Sequence, residues 1–145
     1  MVVYLDASAV VKRYVMEAGS EAVRALVREA QATVTALVTR AEVVAALARA
    51  RRMGRLTAEE ADRARQTFEA EWDDFVRVQM TEQLAAQAAS FAWTCGLRGY
   101  DAVHLASAVF WQTQSPFAIL LATYDRELWE AARRVGLTCW PEEAP

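Results

Sequence analysis

The chain has 145 residues, of which 54% are hydrophobic and 24% are charged, and its formal net charge is −3. This length and composition predict a single folded domain over residues 1–145 with a hydrophobic core, and they exclude a disordered chain. The acidic balance argues against a protein that coats nucleic acid through its phosphates, but not against an enzyme with an acidic site. Neither a signal peptide nor an apolar stretch of the ~20 residues that span a bilayer is visible, so a cytoplasmic protein without a membrane anchor is expected.

Short apolar strands alternate with helical segments along the chain. The hydrophobic spacing predicts strands over 2–5, 32–36, 76–80, 117–123 and 137–140, and helices from residue 7 and over 21–30, 43–53, 57–74, 82–95, 102–112 and 126–134. This alternation favours an α/β fold, with a central, mostly parallel sheet of about four to five strands flanked by helices. The short, glycine-containing connection between the third and fourth helices predicts a helical-hairpin arm, and residues 141–145 are expected to fray.

Asp6 stands at the end of the first apolar run, directly before a helical segment that begins near Ala7. In open α/β sheets, ligands bind beyond the carboxyl ends of the strands, so this carboxylate has the place of a functional group. Asp is also a preferred helix N-cap, because its side chain accepts hydrogen bonds from free backbone N–H groups. The opening of the chain alone leaves these two interpretations equally open.

Three further acids occupy comparable positions. Asp125 follows the most apolar strand, and Glu42 and Asp101 open largely apolar helices. The end of a parallel strand and the start of the next helix share one edge of the sheet, so all three carboxylates can converge there with Asp6. Each also has a structural alternative. Glu42 forms a capping-box pattern with Thr39, Asp101 could simply favour the helix dipole, and the last acid could be a plain N-cap.

Several carboxylates in one pocket repel one another. Two like charges ~4 Å apart repel by roughly 4 kcal/mol at an effective dielectric of 20, so the pKa values of some acids should rise unless a cation lies among them. A set of carboxylates without histidine or cysteine ligands favours a hard cation, Mg²⁺ or in its place Mn²⁺, and argues against zinc. Such an ion can lower the pKa of bound water, align it with a phosphorus atom and stabilise the leaving oxygen.

Four features occur in order along the chain: LDASA over 5–9, Glu42 at a helix start, YDAVHLASA over 100–108 and LATYD over 121–125. Together they resemble PIN-domain ribonucleases, and most closely the VapC-type toxins of bacterial toxin–antitoxin pairs, over nearly the whole chain. The resemblance implies a PIN-like fold and RNA cleavage by water that depends on Mg²⁺ or Mn²⁺. It also implies a homodimer and inhibition by a VapB-like antitoxin in a toxin–antitoxin hetero-oligomer.

Carried over residue by residue, the resemblance assigns an acidic catalytic quartet to Asp6, Glu42, Asp101 and Asp125. The three aspartates are expected to bind the metal, the last of them directly or through water, and the glutamate to bind it or to orient the attacking water. Ser8 and Thr123 match small hydroxyl positions of the family and are expected to hydrogen-bond the carboxylates. Because the fourth acid varies most within the family, Asp125 is the assignment that most needs a structural test.

Other residues carry weaker functional interpretations. Lys12 and Arg13 are candidate contacts to RNA phosphates, with plain surface charge as the alternative. His104 is expected to be a buried or supporting group rather than a general base, because a metal-bound water needs no such base. The tryptophans, at helical spacing, favour core or interface positions over base stacking. A basic cluster could guide RNA, bind an acidic partner or favour the dipole of its helix, and it comprises Arg49, Arg51, Arg52 and Arg55.

Competing functions fit only part of this pattern. A phosphatase of the haloacid dehalogenase type also begins with a strand and an Asp, but it requires a second Asp two residues later, where this chain has Ser8. A catalytically inactive PIN-fold interaction module would keep the fold and lose the activity, against which the intact quartet argues. A PIN nuclease that acts in RNA processing without an antitoxin is a further alternative.

Overall fold

Five parallel strands form the central sheet of the protein. A computed structural model describes all residues from Met1 to Pro145. The strands are β1 Val2–Leu5, β2 Ala32–Ala36, β3 Val76–Val78, β4 Ile119–Ala122 and β5 Thr138–Trp140. Their order across the sheet is β3-β2-β1-β4-β5, and every neighbouring pair is parallel. The first strand of the chain therefore lies at the centre of the sheet.

Seven α-helices cover the sheet and supply the crossover connections that parallel neighbours require. They are α1 Ala7–Tyr14, α2 Ser20–Glu29, α3 Thr39–Arg52, α4 Ala58–Glu71, α5 Glu82–Cys95, α6 Gly99–Gln114 and α7 Arg126–Arg134. A 3-10 turn over Trp72–Asp74 follows α4. None of these helices combines the length and the apolar character that crossing a membrane requires.

The central strand β1 is apolar on both of its faces because helices cover both. Val2 and Tyr4 belong to one core, which they share with residues of α5, α6 and α7. Val3 and Leu5 point the opposite way, into a second core with residues of α1, α3 and α4. All four side chains are almost completely buried. A strand buried on both faces reads as a continuous apolar run, which explains the absence of polar alternation in the sequence.

The helices α3 and α4 form the expected helical hairpin. Leu47 of α3 and Phe68 of α4 are buried and lie in the second core together with Val10 of α1. Gly54, in the connection, has a φ of +73°, a backbone conformation that favours glycine. Residues 51–55 at the tip are exposed. The hairpin is thus anchored to α1 along part of its length and reaches solvent at its end.

The predicted α/β fold with a parallel sheet is confirmed, but several boundaries differ. The helix α6 begins at Gly99, three residues before its predicted start, because the Arg98 carbonyl accepts the first helical hydrogen bond from the Ala102 N–H at 2.9 Å. The glycine that ends α5 is Gly96, whose φ is +67°. The strands β3 and β4 are shorter than predicted, and the predicted helix over 57–74 ends in the 3-10 turn.

Candidate active site

Asp6 lies at the C-terminal tip of β1, in the middle of the sheet, and is only 3% exposed. Its Oδ1 accepts hydrogen bonds from the Ala9 N–H at 3.0 Å and from the Ser8 hydroxyl at 2.6 Å. Its Oδ2 accepts one from the Thr123 hydroxyl at 2.7 Å. Asp6 is therefore the N-cap of α1 and a carboxylate at the sheet edge at once, so the two interpretations are compatible. One of its four lone-pair positions has no partner within the chain.

The Thr123 hydroxyl links Asp6 to Asp125. Thr123 follows β4 directly and is completely buried. Its oxygen donates to the Asp6 carboxylate and accepts from the backbone N–H of Asp125 at 3.0 Å. The Ser8 hydroxyl, which also donates to Asp6, accepts from the Tyr124 N–H at 2.9 Å. Two hydroxyl groups thus join the tips of the neighbouring strands β1 and β4.

One guanidinium group reaches two of the acids. Asp125 is the N-cap of α7, where its Oδ1 accepts from the Leu128 N–H at 2.9 Å. Its Oδ2 lies 3.4 Å from Nη2 of Arg98, and Nε of the same arginine lies 3.4 Å from Oδ2 of Asp101. The Arg98 side chain is 77% exposed, so each contact is a weak surface ion pair. Together they mark a position from which a single cation contacts both Asp101 and Asp125.

Glu42 lies in the first turn of α3, but the capping box with Thr39 is wrong. This helix has no side-chain cap hydrogen bond. The Glu42 Oε1 lies 2.7 Å from Nε2 of His104 on α6, and the Thr39 hydroxyl lies 2.8 Å from the hydroxyl of Thr35 on β2. Each side chain of the predicted box is thus bonded to a residue of another element. The pattern identified the start of the helix but not the role of its acid.

Two buried threonines fix the turn that carries Glu42. Besides its contact with Thr39, the Thr35 hydroxyl donates to the carbonyl oxygen of Leu5 at 2.6 Å. Both threonines are completely buried. Because Leu5 directly precedes Asp6, this contact ties the start of α3 to the tip of β1.

An open cavity of about 570 Å³ lies at the same edge of the sheet. Its lining residues are Glu42, Arg98, Gly99, Tyr100, Asp101 and Val103. The volume is typical of ligand-binding clefts, and the exposed Tyr100 ring contributes an aromatic surface to its wall. Glu42 and Asp101 are therefore the two acids that line the cavity, whereas Asp6 and Asp125 do not.

Burial and mutual repulsion disfavour the charged forms of these acids. Burial raises the pKa of Asp6 above its usual value, although the His104 charge and several hydrogen bonds act against the shift. Burial also raises the pKa of Asp101, and the negative charge of Asp125 adds to this effect. The Arg98 guanidinium offsets part of it. A cation bound among these groups would stabilise their ionised forms.

The donor set fits a hard divalent cation, although it is not a preformed chelate. No three acidic, histidine or cysteine side chains lie close enough together to hold one ion as they stand. Mg²⁺ keeps several of its waters, however, and commonly takes only one or two carboxylates from a protein. Asp101 and Asp125, which share the Arg98 guanidinium, form such a pair of oxygen donors. Carboxylate oxygens of this kind are the donors that hard cations such as Mg²⁺ and Mn²⁺ prefer.

Lys12 and Arg13, the candidate RNA contacts, both have partners within the chain. The Lys12 Nζ lies 3.0 Å from Oε1 of Glu17 and 4.4 Å from the centre of the Tyr124 ring. The Arg13 Nη2 lies 3.1 Å from Oε2 of Glu71. Contact with RNA stays a prediction for both residues, and it would require them to exchange these ion pairs.

The basic cluster over residues 49–55 lies at the opposite end of α3 from Glu42. Ten residues separate Glu42 from Arg52, which corresponds to about 15 Å along a helix.

The tryptophans differ in how deeply they are buried. Trp72 is buried in the second core and Trp111 packs against the first, as expected, whereas Trp93 is 90% exposed.

The structure places three residues at the site that sequence reasoning missed: Tyr4, Thr35 and Arg98. The Tyr4 hydroxyl lies 2.8 Å from Nδ1 of His104. Tyr4 is the one side chain with a polar atom in the apolar run of β1, which could have indicated a buried hydrogen bond. Arg98 stands three residues before Asp101, a spacing that brings charges together once both flank a helix start. No local signal indicates the partner of Thr35.

Known proteins are similar to this chain over nearly its whole length. A sequence model of the PIN domain matches residues 3–134. Ribonuclease VapC45 of Mycobacterium tuberculosis is 36% identical over 141 residues, which are 97% of this chain and 96% of that protein. The similarity therefore includes the segments that carry all four acids.

Solved structures share the fold at much lower sequence identity. VapBC2 from Rickettsia felis, bound to a DNA fragment from their promoter, gives a TM-score of 0.63 at 9% identity, covering 97% of this chain and 99% of that chain. A toxin–antitoxin complex from Klebsiella pneumoniae gives a TM-score of 0.60 at 15% identity, covering 85% of this chain and 86% of that chain. At these identities the likeness concerns the fold alone.

Proposed function

Since the chain belongs to the PIN domain family, we propose that it is an endoribonuclease and the toxin of a toxin–antitoxin pair. The nearly full-length similarity to a protein named Ribonuclease VapC45 supports this proposal. The observation that carries it is the position of Asp6, Asp125, Asp101 and Glu42 at the C-terminal edge of the sheet, where the last two of these acids line an open cavity. In this fold class that edge is where ligands bind.

The proposed cofactor is Mg²⁺, with Mn²⁺ as its substitute. Asp101 and Asp125 would hold the ion, and Asp6 has one lone-pair position left for it. When bound, such an ion supplies a water of lowered pKa and stabilises the leaving oxygen. The hydroxyls of Ser8 and Thr123 hold the Asp6 carboxylate in one orientation.

The RNA phosphate is proposed to bind in the cavity, where Glu42 would orient the attacking water. Arg98 is exposed at the cavity wall and can turn from its two acids to a phosphate, whose oxygens match the guanidinium fork. Lys12 and Arg13 would contact the RNA further along its backbone. The reaction is the hydrolysis of a phosphodiester bond within the RNA.

The proposed partners are RNA, a VapB-like antitoxin and a second copy of the chain. The antitoxin is suggested by the similarity in fold to VapBC2 and to the Klebsiella pneumoniae toxin–antitoxin complex. The resemblance to the family implies a homodimer that assembles with the antitoxin into a hetero-oligomer. The expected place of action is the cytoplasm, where the RNA is.

Cleavage of end-labelled RNA by the purified chain in Mg²⁺, compared with the same reaction in EDTA, tests the proposed activity. We expect Asp6→Asn and Asp101→Asn to reduce cleavage to the EDTA background, because each removes one negative charge from the site while keeping a side chain of similar shape. Asp62→Asn is the matched control, since this acid is exposed on α4, and it should cleave like the wild type. Full activity of either site variant would exclude the proposed site.

A catalytically inactive PIN-fold interaction module is the second candidate. It is favoured by one observation, that Arg98 already pairs with two of the acids while no three potential ligands converge. This alternative predicts no cleavage with either metal. A PIN nuclease of RNA processing would cleave RNA, but its expression would not arrest bacterial growth, and co-expression with an antitoxin would therefore have no effect.

A further inference from the structure

A chain of two short hydrogen bonds runs from the core to the cavity. The Tyr4 hydroxyl of β1 lies 2.8 Å from Nδ1 of His104, and Nε2 of the same ring lies 2.7 Å from Oε1 of Glu42. Tyr4 and His104 are at most 1% exposed, whereas the Glu42 side chain is 21% exposed and lines the cavity. His104 therefore connects a buried side chain of the core, Tyr4, to an acid of the site, Glu42.

The direction of the second bond follows from chemistry. An ionised carboxylate only accepts hydrogen bonds, so Nε2 of His104 must carry the proton that it donates to Glu42. The Tyr4 hydroxyl can donate to Nδ1 when the ring is neutral and accept from it when the ring is charged. The bond to Glu42 thus exists in both protonation states of the ring.

The ring has no freedom to turn away from Glu42. Besides its two hydrogen bonds, it packs edge to face against the Tyr4 ring, with the ring centres 5.9 Å apart and an angle of 75° between the planes. Glu42, in contrast, has a flexible side chain at the start of α3, and the only hydrogen bond to its carboxylate is the one from His104. Without this bond the carboxylate would be free to swing into solvent.

We propose that His104 is a positioning residue, which holds the Glu42 carboxylate at the cavity wall where the attacking water must be oriented, and that Tyr4 holds His104. This inference rests on the proposed ribonuclease function. A role of His104 as a general base does not fit the geometry, because both ring nitrogens are bonded within the chain and the ring is buried. We therefore assign its effect on the reaction to Glu42, the acid of the site to which the ring is directly bonded.

Three variants separate positioning from a structural role. His104→Leu removes the donor and keeps the apolar volume, whereas His104→Gln places an amide N–H near the position of Nε2. We expect the leucine variant to lower kcat for RNA cleavage by about 10- to 100-fold with KM nearly unchanged, and the glutamine variant to restore most of it. Tyr4→Phe should cause a smaller loss, because the ring keeps its bond to Glu42.

Thermal melting of the same variants distinguishes a positioning role of His104 from a purely structural one. Leucine suits the buried position better than glutamine, so His104→Leu should melt at the same or a higher temperature than His104→Gln although its kcat is lower. If His104 were only structural, kcat and melting temperature would fall together across the variants. That parallel would overturn the inference.

A double-mutant cycle tests whether His104 acts through Glu42. Glu42→Gln should lower kcat, and adding His104→Leu to this background should lower it no further. Losses that multiply would contradict the proposal, since they would show an independent role for the ring.

A readout without activity separates this inference from the proposed function. His104 is the only histidine of the chain, so its ring N–H signals in NMR spectra need no assignment. The Nε2–H should be protected from exchange in the wild type and lose this protection in Glu42→Ala. An unprotected wild-type signal would overturn the inference even if RNA is cleaved. A protected signal in a wild type that does not cleave RNA would instead overturn the proposed function and the catalytic role that rests on it.

Discussion

Asp6 and Asp125 each use one carboxylate oxygen to cap a helix and present the other to the site. The Oδ1 atoms accept the backbone N–H groups of Ala9 and Leu128, whereas Oδ2 of Asp6 accepts from Thr123 and Oδ2 of the second acid faces a guanidinium. An asparagine at either position keeps the capping oxygen and removes the charge. Asparagine variants therefore test the chemistry of these positions, whereas alanine variants would also destabilise the helix starts by about 1 kcal/mol.

The metal-free protein should become more stable as the pH falls from neutral to mildly acidic values. Burial raises the pKa of Asp6, and burial together with the Asp125 charge raises that of Asp101. An acid with a higher pKa in the folded state binds its proton there first, so acidification favours folding. For His104, burial opposes the charged form, but the Glu42 hydrogen bond and the surrounding carboxylates outweigh it and raise the pKa. The contribution of protonated His104 to the stability of the folded protein is likewise present at low pH and lost as the pH rises.

Urea denaturation in EDTA at several pH values measures this effect. Asp6→Asn should have a higher free energy of unfolding than the wild type at neutral pH. This free energy should also rise less on acidification, because the variant lacks one of the buried carboxylates that bind a proton in the folded state. Asp62→Asn, at an exposed position, should follow the wild type. A wild-type free energy of unfolding that decreases as the pH is lowered over this range would show that folding does not raise the pKa values of these acids.

At the scale of elements, the turn between β2 and α3 decides where Glu42 stands. The Thr35 hydroxyl contacts the Leu5 carbonyl and the Thr39 hydroxyl, and no water reaches these groups because both threonines are buried. The turn therefore links the second strand, the tip of the first strand and the start of the helix. A change in this link would shift the whole helix start rather than one side chain.

Thr35→Val should destabilise the protein by about 1–3 kcal/mol, because it leaves the Leu5 carbonyl and the Thr39 hydroxyl without their buried partner. It should also lower kcat for RNA cleavage, since Glu42 is carried by the same turn. Thr67→Val is the matched control, because the Thr67 hydroxyl is exposed and bonds only the Arg63 carbonyl of its own helix. Equal free energies of unfolding for the two variants in urea would argue against a role of this turn.

Elements with clear local end signals were predictable from the sequence, whereas contacts between distant elements were not. The helix over 126–134 was predicted with its observed boundaries, because an aspartate caps it and Gly136 follows it. The start of α6 was missed, because Gly99 was interpreted as part of a loop although the first turn of a helix tolerates glycine. The capping box was wrong because Glu42 is bonded to His104, 62 residues away, and no local pattern encodes that contact.

At the scale of the whole molecule, four different elements supply the acids. The shared edge of a parallel sheet predicts that these acids meet, and the family resemblance selects the same four positions. The tip of β1 and the starts of α3, α6 and α7 contribute one acid each. The resemblance to the PIN domain is confirmed by the family match over residues 3–134. Arg98 lies outside those motif positions, and its contact with Asp125, 27 residues away in the sequence, could be found only from the structure.

Mg²⁺ or Mn²⁺ should raise the melting temperature at neutral pH, because an ion that binds only the folded state stabilises it, by about 2.7 kcal/mol at a concentration 100-fold above Kd. Arg98→Ala should melt lower than the wild type in EDTA and gain more from Mg²⁺, since the guanidinium no longer competes for Asp101 and Asp125. Arg126→Ala, which loses only an exposed pair with Glu130, is the control and should respond like the wild type. A melting temperature that no metal changes would favour the inactive module.

The central position of β1 has a consequence for how the protein is made. The first strand pairs with β4, in the register Val2 with Ile119, so its tip acquires this neighbour only after the segments between the two strands have been synthesised. The hydrogen bond from Thr123 to Asp6 joins residues that are 117 positions apart, so it can form only after all the segments between them have been synthesised. The hydrogen-bonded environment of the Asp6 carboxylate is therefore completed only late in the assembly of the sheet.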